Sequence, residues 1–294
     1  MKIRNTSILI ATSIFLIFSS FTSADNIYIS CYGSGTIEKL DSSGNRSTVA
    51  SGLYHPTGLA LDSNKNLYIA RPGTGTRNGT IVKIDPAGNK SNFATNLRSP
   101  QGLSFDSKGN LFLAEWYDDA IYKYDSSGNM SVFSAEQIWH PEGLTFDSSG
   151  NLWAASYRST NAYSAIYKYD SAGNSTAFAW DHVPIGLAFD RNGHLFAANS
   201  ADGTIMKYDS RGNGTTYASG FNSPYGITFD SSGNLFMADM GAGIIYKYDT
   251  FGNGSVFASG LNQPAFIVAE VPEPATLLLF TLGGLALRRK QKTA

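Results

Sequence analysis

Two residues of this chain, His140 and Glu142, are of types that could do acid–base chemistry and stand close together in the sequence. An imidazole with an acidic partner can remove a proton from a bound substrate. The sequence contains no Ser-centred nucleophile motif and no phosphate-binding loop. It therefore predicts no catalytic site as such, and His140 and Glu142 are the candidates if the protein is an enzyme.

A sequence repeat of about forty residues must provide the elements that position this pair. Each unit contains four short runs rich in Ile, Val, Phe and Tyr, which favour β-strands over helices. Two of the three connections inside a unit read Asp-x-x-Gly-Asn, a sequence suited to tight hairpins. Four antiparallel strands from about forty residues are typical of one blade of a β-propeller. The units begin at Pro56, Pro100, Pro141, Pro184 and Pro224.

The two ends of the repeat region complement each other. From Asp25 the chain starts with runs that match the second, third and fourth strands of a unit. Pro264–Glu270 matches a first strand alone. We therefore predict an all-β fold over residues 25–270, a six-bladed β-propeller of four-stranded blades. In this ring the C-terminal strand completes the N-terminal blade, which leaves no free sheet edge between the ends.

Alternating strand directions place the connections of each blade on two faces of the ring. The two hairpins of each blade lie on one face, here called the hairpin face, and their amino-acid sequences are nearly constant. The connection between the second and third strands and the link to the next blade lie on the other. We call this the variable face because its loops differ between blades, and variable loops on a rigid scaffold commonly carry binding residues. The predicted ligand-binding residues there are His55, Arg98, Gln101, Glu115, Trp139, His140, Glu142 and His182.

The repeat resembles the NHL family of propellers through Pro-x-Gly-[Leu/Ile]-x-Phe-Asp-x-x-Gly-[Asn/His]-Leu-[Phe/Trp]. It is also similar in pattern to gluconolactonase-like and virginiamycin B lyase-like propellers, over roughly Asp25 to Glu270. The lyase resemblance implies proton abstraction at the mouth, for which His140 and Glu142 are the pair.

The gluconolactonase resemblance implies a divalent cation held by Glu, Asn and Asp around the channel. Only Gln101 and Glu142 of the column after each repeat's Pro could serve, and three oxygen ligands are a reasonable minimum for Ca²⁺. The histidines of the variable face carry no local zinc-binding spacing. We therefore predict no metal and no other cofactor, while a divalent cation in the channel stays open. The column is Thr57, Gln101, Glu142, Ile185, Tyr225 and Ala265.

Both ends of the chain carry targeting signals. Residues 1–24 combine a basic start, an apolar run and a small-residue end, which predicts a secretory signal peptide. Residues 271–294 contain Pro-Glu-Pro, an apolar run and the basic cluster Arg288-Arg289-Lys290. This tail resembles a PEP-CTERM sorting signal. The resemblance implies export by the secretion machinery, transient membrane contact through the tail, processing by an exosortase, and a bacterial cell-surface or extracellular location. A plain membrane anchor is the alternative.

The charge of the ring argues against a nucleic-acid partner. Removing the six basic residues of both ends from the 22 in the chain leaves 16 against up to 23 acidic ones, a net charge near −7. Nucleic-acid binding requires a basic surface.

We therefore predict an exported propeller that binds a polysaccharide or a protein partner. An aromatic-lined groove would favour a glycan. The alternatives are a lactonase- or lyase-type enzyme at the channel, favoured by acids converging with His, and a structural matrix component without a discrete ligand, favoured by a featureless mouth.

Overall fold

The computed structural model of the chain describes residues 25–74, 77–134, 138–157, 164–180 and 183–270. These ranges contain 24 β-strands in six four-stranded antiparallel sheets, which confirms the predicted all-β, six-bladed propeller. In the described part of the chain, no helix is long and apolar enough to cross a membrane. The segments 1–24 and 271–294, predicted to be targeting signals, lie outside the described residues.

The strands follow the sequence repeat in chain order. Blade I contains β1 (Asn26–Cys31), β2 (Thr36–Leu40), β3 (Arg46–Ala50) and β24 (Pro264–Glu270), and blade II contains β4 (Leu59–Leu61), β5 (Leu67–Arg71), β6 (Gly79–Ile84) and β7 (Lys90–Leu97). Blade III contains β8 (Pro100–Phe105), β9 (Leu111–Glu115), β10 (Ala120–Tyr124) and β11 (Met130–Ser134). Blade IV contains β12 (Pro141–Phe146), β13 (Leu152–Ser156), β14 (Ala165–Tyr169) and β15 (Ser175–Trp180). Blade V contains β16 (Pro184–Phe189), β17 (Leu195–Asn199), β18 (Thr204–Tyr208) and β19 (Gly214–Ser219), and blade VI contains β20 (Pro224–Phe229), β21 (Leu235–Asp239), β22 (Ile244–Tyr248) and β23 (Gly254–Ala258).

The ring is closed as the sequence predicts. The last strand, β24, pairs antiparallel with β1, with Asn26 opposite Glu270 and Cys31 opposite Pro264. The Asn26 side chain donates a hydrogen bond of 2.7 Å to Glu270 Oε2. Apolar residues of β1 and β24 share one buried cluster with Phe236 and other residues of blade VI. The two ends of the ring are therefore joined by a sheet and by a hydrophobic core.

The hairpins of the hairpin face owe their constancy to one turn geometry. In blade IV, Asp147 Oδ1 accepts the backbone N–H groups of Ser149 and Asn151, and Asp147 Oδ2 accepts the Asn151 side chain at 2.8 Å. Gly150 has φ +81°, a conformation that favours glycine. The same bonds recur in other hairpins, where they lower the pKa of the aspartate, as at Asp41. Turn chemistry alone accounts for this repetition.

The glycine of the Pro-x-Gly motif reflects close packing around the axis. The innermost strands of neighbouring blades approach so closely that Gly58 N–H donates to Gln101 O at 3.1 Å. A Cβ atom on Gly143 would overlap the carbonyl oxygen of Ile185 in the next blade. Blade I has Phe266 at the matching position, and the adjoining strand β4 is only three residues long.

The lysine column of the third strands is structural. Each ammonium group lies 5.1 to 5.7 Å from the centre of an aromatic ring on the neighbouring second strand. Lys168 Nζ also lies 3.6 Å from Asp147 Oδ2. In this arrangement the aliphatic part of each lysine is buried, and its ammonium group contacts the face of an aromatic ring or a carboxylate.

Candidate functional site

The variable face carries an aromatic cluster where blades III and IV meet. The ring of Trp116, directly after β9, lies 3.8 Å from the His140 ring, measured between centroids. Tyr117 packs edge-on against Trp116 at 4.6 Å, and Tyr157 lies 6.4 Å from His140. The second connections of the blades and the links between blades are therefore neighbours, as the alternation of strand direction predicts.

His140 is oriented by an aspartate of the preceding blade. Asp119 Oδ1 lies 2.9 Å from His140 Nδ1 and accepts the His140 backbone N–H at 2.7 Å. His140 and Asp119 both have positive φ, 41° and 50°, so both turns are held in a conformation that non-glycine residues seldom adopt. The pair fixes one ring nitrogen and leaves Nε2 as the atom that could exchange a proton with a ligand.

Glu142 lies in the channel rather than beside His140. Its side chain is buried, and burial raises the pKa of its carboxyl to about 8. Trp116 and Tyr225 act as hydrogen-bond donors to this carboxyl, and its Oε2 has no partner. Tyr225 belongs to blade VI, so this contact reaches across the channel from blade IV. Trp116 touches both His140 and Glu142 and is the link between the two predicted catalytic candidates.

Glu115 holds the link that carries Arg98. Its side chain is fully buried, and its Oε1 accepts the backbone N–H of Ser99. Burial raises the pKa of Glu115 to about 7, while the bonds from the Ser99 and Arg98 amides act in the opposite direction. At the matching position of blade VI, Asp239 accepts the Asn222 N–H in the same way. The carboxyl of Glu115 therefore positions the loop.

Arg98 and Gln101 stand on either side of Ser99. The Arg98 guanidinium donates to Tyr117 O and Asp118 Oδ1, both at 2.9 Å, and lies over the Tyr117 ring. Gln101 Nε2 donates to Ser99 Oγ at 3.2 Å, and its Oε1 is buried without a partner. The structure thus brings Arg98, Gln101 and Glu115 together on one side of the mouth.

The remaining predicted residues occupy other parts of the face. His55 stacks on Tyr32 at 4.1 Å and contacts Tyr54. Trp139 is 44% exposed, and its backbone N–H donates to Ser156 Oγ at 3.2 Å. His182 lies outside the described residues.

Tyrosine side chains outside the predicted set also line the mouth. Tyr32, Tyr157 and Tyr225, from blades I, IV and VI, pack on one buried cluster of Val183, Ile185, Ala265 and Phe266. Tyr225 stands in the channel column that follows each repeat's Pro, whereas Tyr32 and Tyr157 belong to a partly aromatic column formed by the residue after each second strand. That column reads Tyr32, Pro72, Trp116, Tyr157, Ser200 and Met240.

The channel column does not fit the cation that a gluconolactonase-like site would require. Glu142 is its one carboxylate, and Ile185 and Ala265 offer no oxygen ligand from their side chains. Among the described residues, no group of three or more His, Cys, Asp and Glu side chains could hold a metal ion.

Concave grooves also lie on the hairpin face, between neighbouring blades. One of about 570 Å³ between blades II and III is lined by Tyr68, Lys83, Phe105 and hairpin residues. Similar grooves lie between blades III and IV, IV and V, and V and VI. They recur because the blades repeat, and the lysine of each third strand lies over the ring that forms part of the wall.

The buried carboxyl of Glu142 predicts a pH dependence of stability. Its pKa rises from 4.5 to about 8 on folding, so between these values the folded ring binds more protons than the unfolded chain. Stability must then fall as the pH rises through this window. We expect Glu142→Gln to reduce the loss of melting temperature between pH 5 and pH 8, as measured by circular dichroism. Glu115 retains part of the slope, because its pKa of about 7 is raised by the same cause. An identical slope in the variant would contradict a buried, protonated Glu142.

The fold is that of a six-bladed propeller, and a sorting signal follows it in the sequence. A comparison with protein families matches the PEP-CTERM protein-sorting motif at residues 270–290. This match confirms the predicted sorting signal and indicates a bacterial protein exported to the cell surface and processed by exosortase. A search of curated protein sequences found no match.

Solved structures share the fold. A chain of a nidogen/laminin complex aligns with a TM-score of 0.75 and 18% identity, over 85% of this chain and 100% of that one. Virginiamycin B lyase from Staphylococcus aureus aligns at 0.61 and 15% identity, over 84% and 89% of the two chains. A gluconolactonase from Xanthomonas campestris aligns at 0.61 and 16% identity, over 72% and 78%. At these identities the likeness establishes the fold alone.

Proposed function

We propose that the exported ring binds an extracellular polysaccharide on its variable face. The observation that carries this proposal is the set of large aromatic side chains left exposed there. Tyr54, Tyr117 and Trp139 are 42%, 55% and 44% exposed. Tyrosine and tryptophan offer an apolar ring face together with a polar group, which suits the alternating apolar and hydroxyl surfaces of a sugar.

Polar groups beside these rings supply hydrogen-bonding capacity. Arg98, Asp118, Asp119 and His140 lie within the same loops and are fixed by contacts with one another. A ligand site commonly combines an apolar wall with a few polar groups that are held in place before binding. A protein partner is the other ligand compatible with such a surface, and binding of the ring to protein but to no glycan would favour it.

We expect Tyr54→Ala and Trp139→Ala each to weaken glycan binding at least about tenfold. Truncating an aromatic residue at the centre of an interface commonly costs more than ~1.4 kcal/mol. Phe251→Ala is the matched control, because Phe251 is an aromatic residue on the hairpin face with 90% exposure. The measurement is binding of the purified ring to a glycan array, followed by calorimetry on the glycans retained. If only the Phe251 variant loses glycan binding, the site lies on the hairpin face and the proposal is wrong.

Proton abstraction by His140 is a second candidate, favoured by the Asp119–His140 pair. The aspartate fixes Nδ1, so Nε2 could act as the base of a lyase- or lactonase-type reaction. Glu142 is less directly placed to take part in this proton transfer, because its carboxyl is hydrogen-bonded by Trp116 and Tyr225. Turnover of lactones or cyclic depsipeptides that His140→Ala abolishes would support this reaction, and absence of turnover across such a panel would reject it. A ring with neither turnover nor ligand would instead be a structural matrix component.

We further propose that residues 1–24 are removed on export and that the mature protein ends near Pro274. The support is the three-part composition of the tail and its match to the sorting motif. The intact mass of the protein purified from its native host measures both ends. A mass that includes Arg288-Arg289-Lys290 in the surface form would indicate a plain anchor.

A further inference from the structure

Both ends of the ring leave it on the hairpin face. The pairing of Asn26 with Glu270 places the start of β1 and the end of β24 side by side. Lys65, in a hairpin of blade II, forms an ion pair of 2.9 Å with Glu270. Ser231, in a hairpin of blade VI, donates to Asp25. Because β24 is the innermost strand of blade I, the sorting tail begins close to the ring axis, at the centre of the hairpin face.

The connection between the ring and the apolar run of the tail is short. Four residues, Val271-Pro-Glu-Pro274, separate Glu270 from the run that starts at Ala275. Four residues span at most about 14 Å. Three strand spacings of about 4.8 Å put the outer strand of a blade about 14 Å farther from the axis, and five-residue strands make the ring about 17 Å thick. A ring turned over on the membrane would need the connection to pass its edge and cross its thickness, which is roughly 30 Å. Four residues cannot do this.

The hairpin face carries charges of both signs. The described hairpins have no acidic residue between the first Asp and the Gly or Lys at the end of the tip, whereas Lys108, Arg191 and Arg211 are exposed there. The aspartate that opens each turn accepts hydrogen bonds, as Asp209 does from Arg211 N and the Asn213 side chain, and Asp170 and Asp209 are themselves exposed. The tips also carry Phe251, which is 90% exposed.

We propose that the hairpin face is the surface that rests on the membrane while the sorting tail is inserted, with Lys108, Arg191 and Arg211 against anionic lipid headgroups and the variable face turned outward. Basic residues near an anionic membrane surface are each worth roughly 1 kcal/mol, which corresponds to about fivefold in partitioning. An exposed aromatic ring among them can enter the interface. This orientation does not depend on which ligand the variable face binds.

The orientation can be measured by quenching of fluorescent labels with nitroxide-headgroup lipids. The full exported chain with its tail is reconstituted into vesicles of phosphatidylethanolamine and phosphatidylglycerol. One label is attached at Ser148→Cys, an exposed hairpin position, and the other at Ala201→Cys, an exposed position on the variable face. The natural Cys31 is buried, so it does not compete for the label. We expect strong quenching at position 148 and little at position 201. Equal quenching, or stronger quenching at position 201, would overturn the proposal.

A charge-reversal variant tests the contact with headgroups. Lys108→Glu, Arg191→Glu and Arg211→Glu together should reduce quenching at position 148 by at least half. Arg77→Glu is the control, because Arg77 is an exposed cation in the connection between β5 and β6 on the variable face. Replacing phosphatidylglycerol with phosphatidylcholine should reduce quenching at position 148 of the parent chain to the same extent as the triple substitution. If the triple variant is quenched as strongly as its parent in anionic vesicles, the headgroup contact is refuted.

Discussion

A chain that ends at Gln263 is expected to lose its folded ring. This deletion removes β24, and with it the buried side chains of Phe266, Ile267 and Ala269. Each buried large apolar side chain is worth about 1.5–3 kcal/mol, and the backbone of β1 also loses its inner partner. The total is a large part of the 5–15 kcal/mol that stabilises an ordinary domain. Thermal unfolding followed by circular dichroism measures the loss.

The control for this deletion is a chain that ends at Glu270, which retains every described strand. We expect it to melt cooperatively. If the chain that ends at Gln263 melts at the same temperature, then closure by β24 contributes nothing to stability and the account of the closed ring is wrong.

Gly143→Val is expected to destabilise the ring by more than about 3 kcal/mol, because overpacking against rigid backbone is among the costly single changes. The added side chain would overlap the Ile185 carbonyl of the neighbouring blade, and the atoms that it meets belong to backbone rather than to a flexible side chain. Gly150→Asn is the matched control. Gly150 has φ +81°, but a Cβ atom added there would meet no other atom within 4 Å. Asparagine also tolerates positive φ better than most residues.

Urea unfolding of the two variants distinguishes packing from turn geometry. We expect the Gly150 variant to lose less than about 1 kcal/mol. A larger loss at Gly150 than at Gly143 would show that the hairpins, and not the contact between inner strands, limit the stability of the ring.

The sequence predicts the blade count because each blade repeats local signals that do not depend on distant contacts. The Asp147 to Asn151 hairpin is encoded by its own five residues, and the same turn recurs around the ring. Closure was also predictable, since the missing first strand of blade I stands alone at Pro264–Glu270.

The candidate site was harder to predict because its contacts join distant positions. Asp119 and His140 are 21 residues apart and meet only because neighbouring blades place them side by side. Glu142 meets Tyr225 across the channel, and no local pattern in the sequence indicates that distance. The sequence predicts Glu115 as a ligand-binding residue from its place on the variable face, and the structure adds that its carboxyl accepts the backbone N–H of Ser99, a contact that no local pattern indicates.

Hydrogen–deuterium exchange of the ring with and without a retained glycan tests the proposed binding face most directly, because exchange reports local protection residue by residue. If the glycan binds the variable face, exchange slows in the loops around Tyr54, Trp116–Asp119 and Ile138–His140 when it is bound, while the hairpin Asp147–Asn151 is unchanged. Protection confined to the hairpins and the grooves between them, with these loops unaffected, would contradict binding on the variable face.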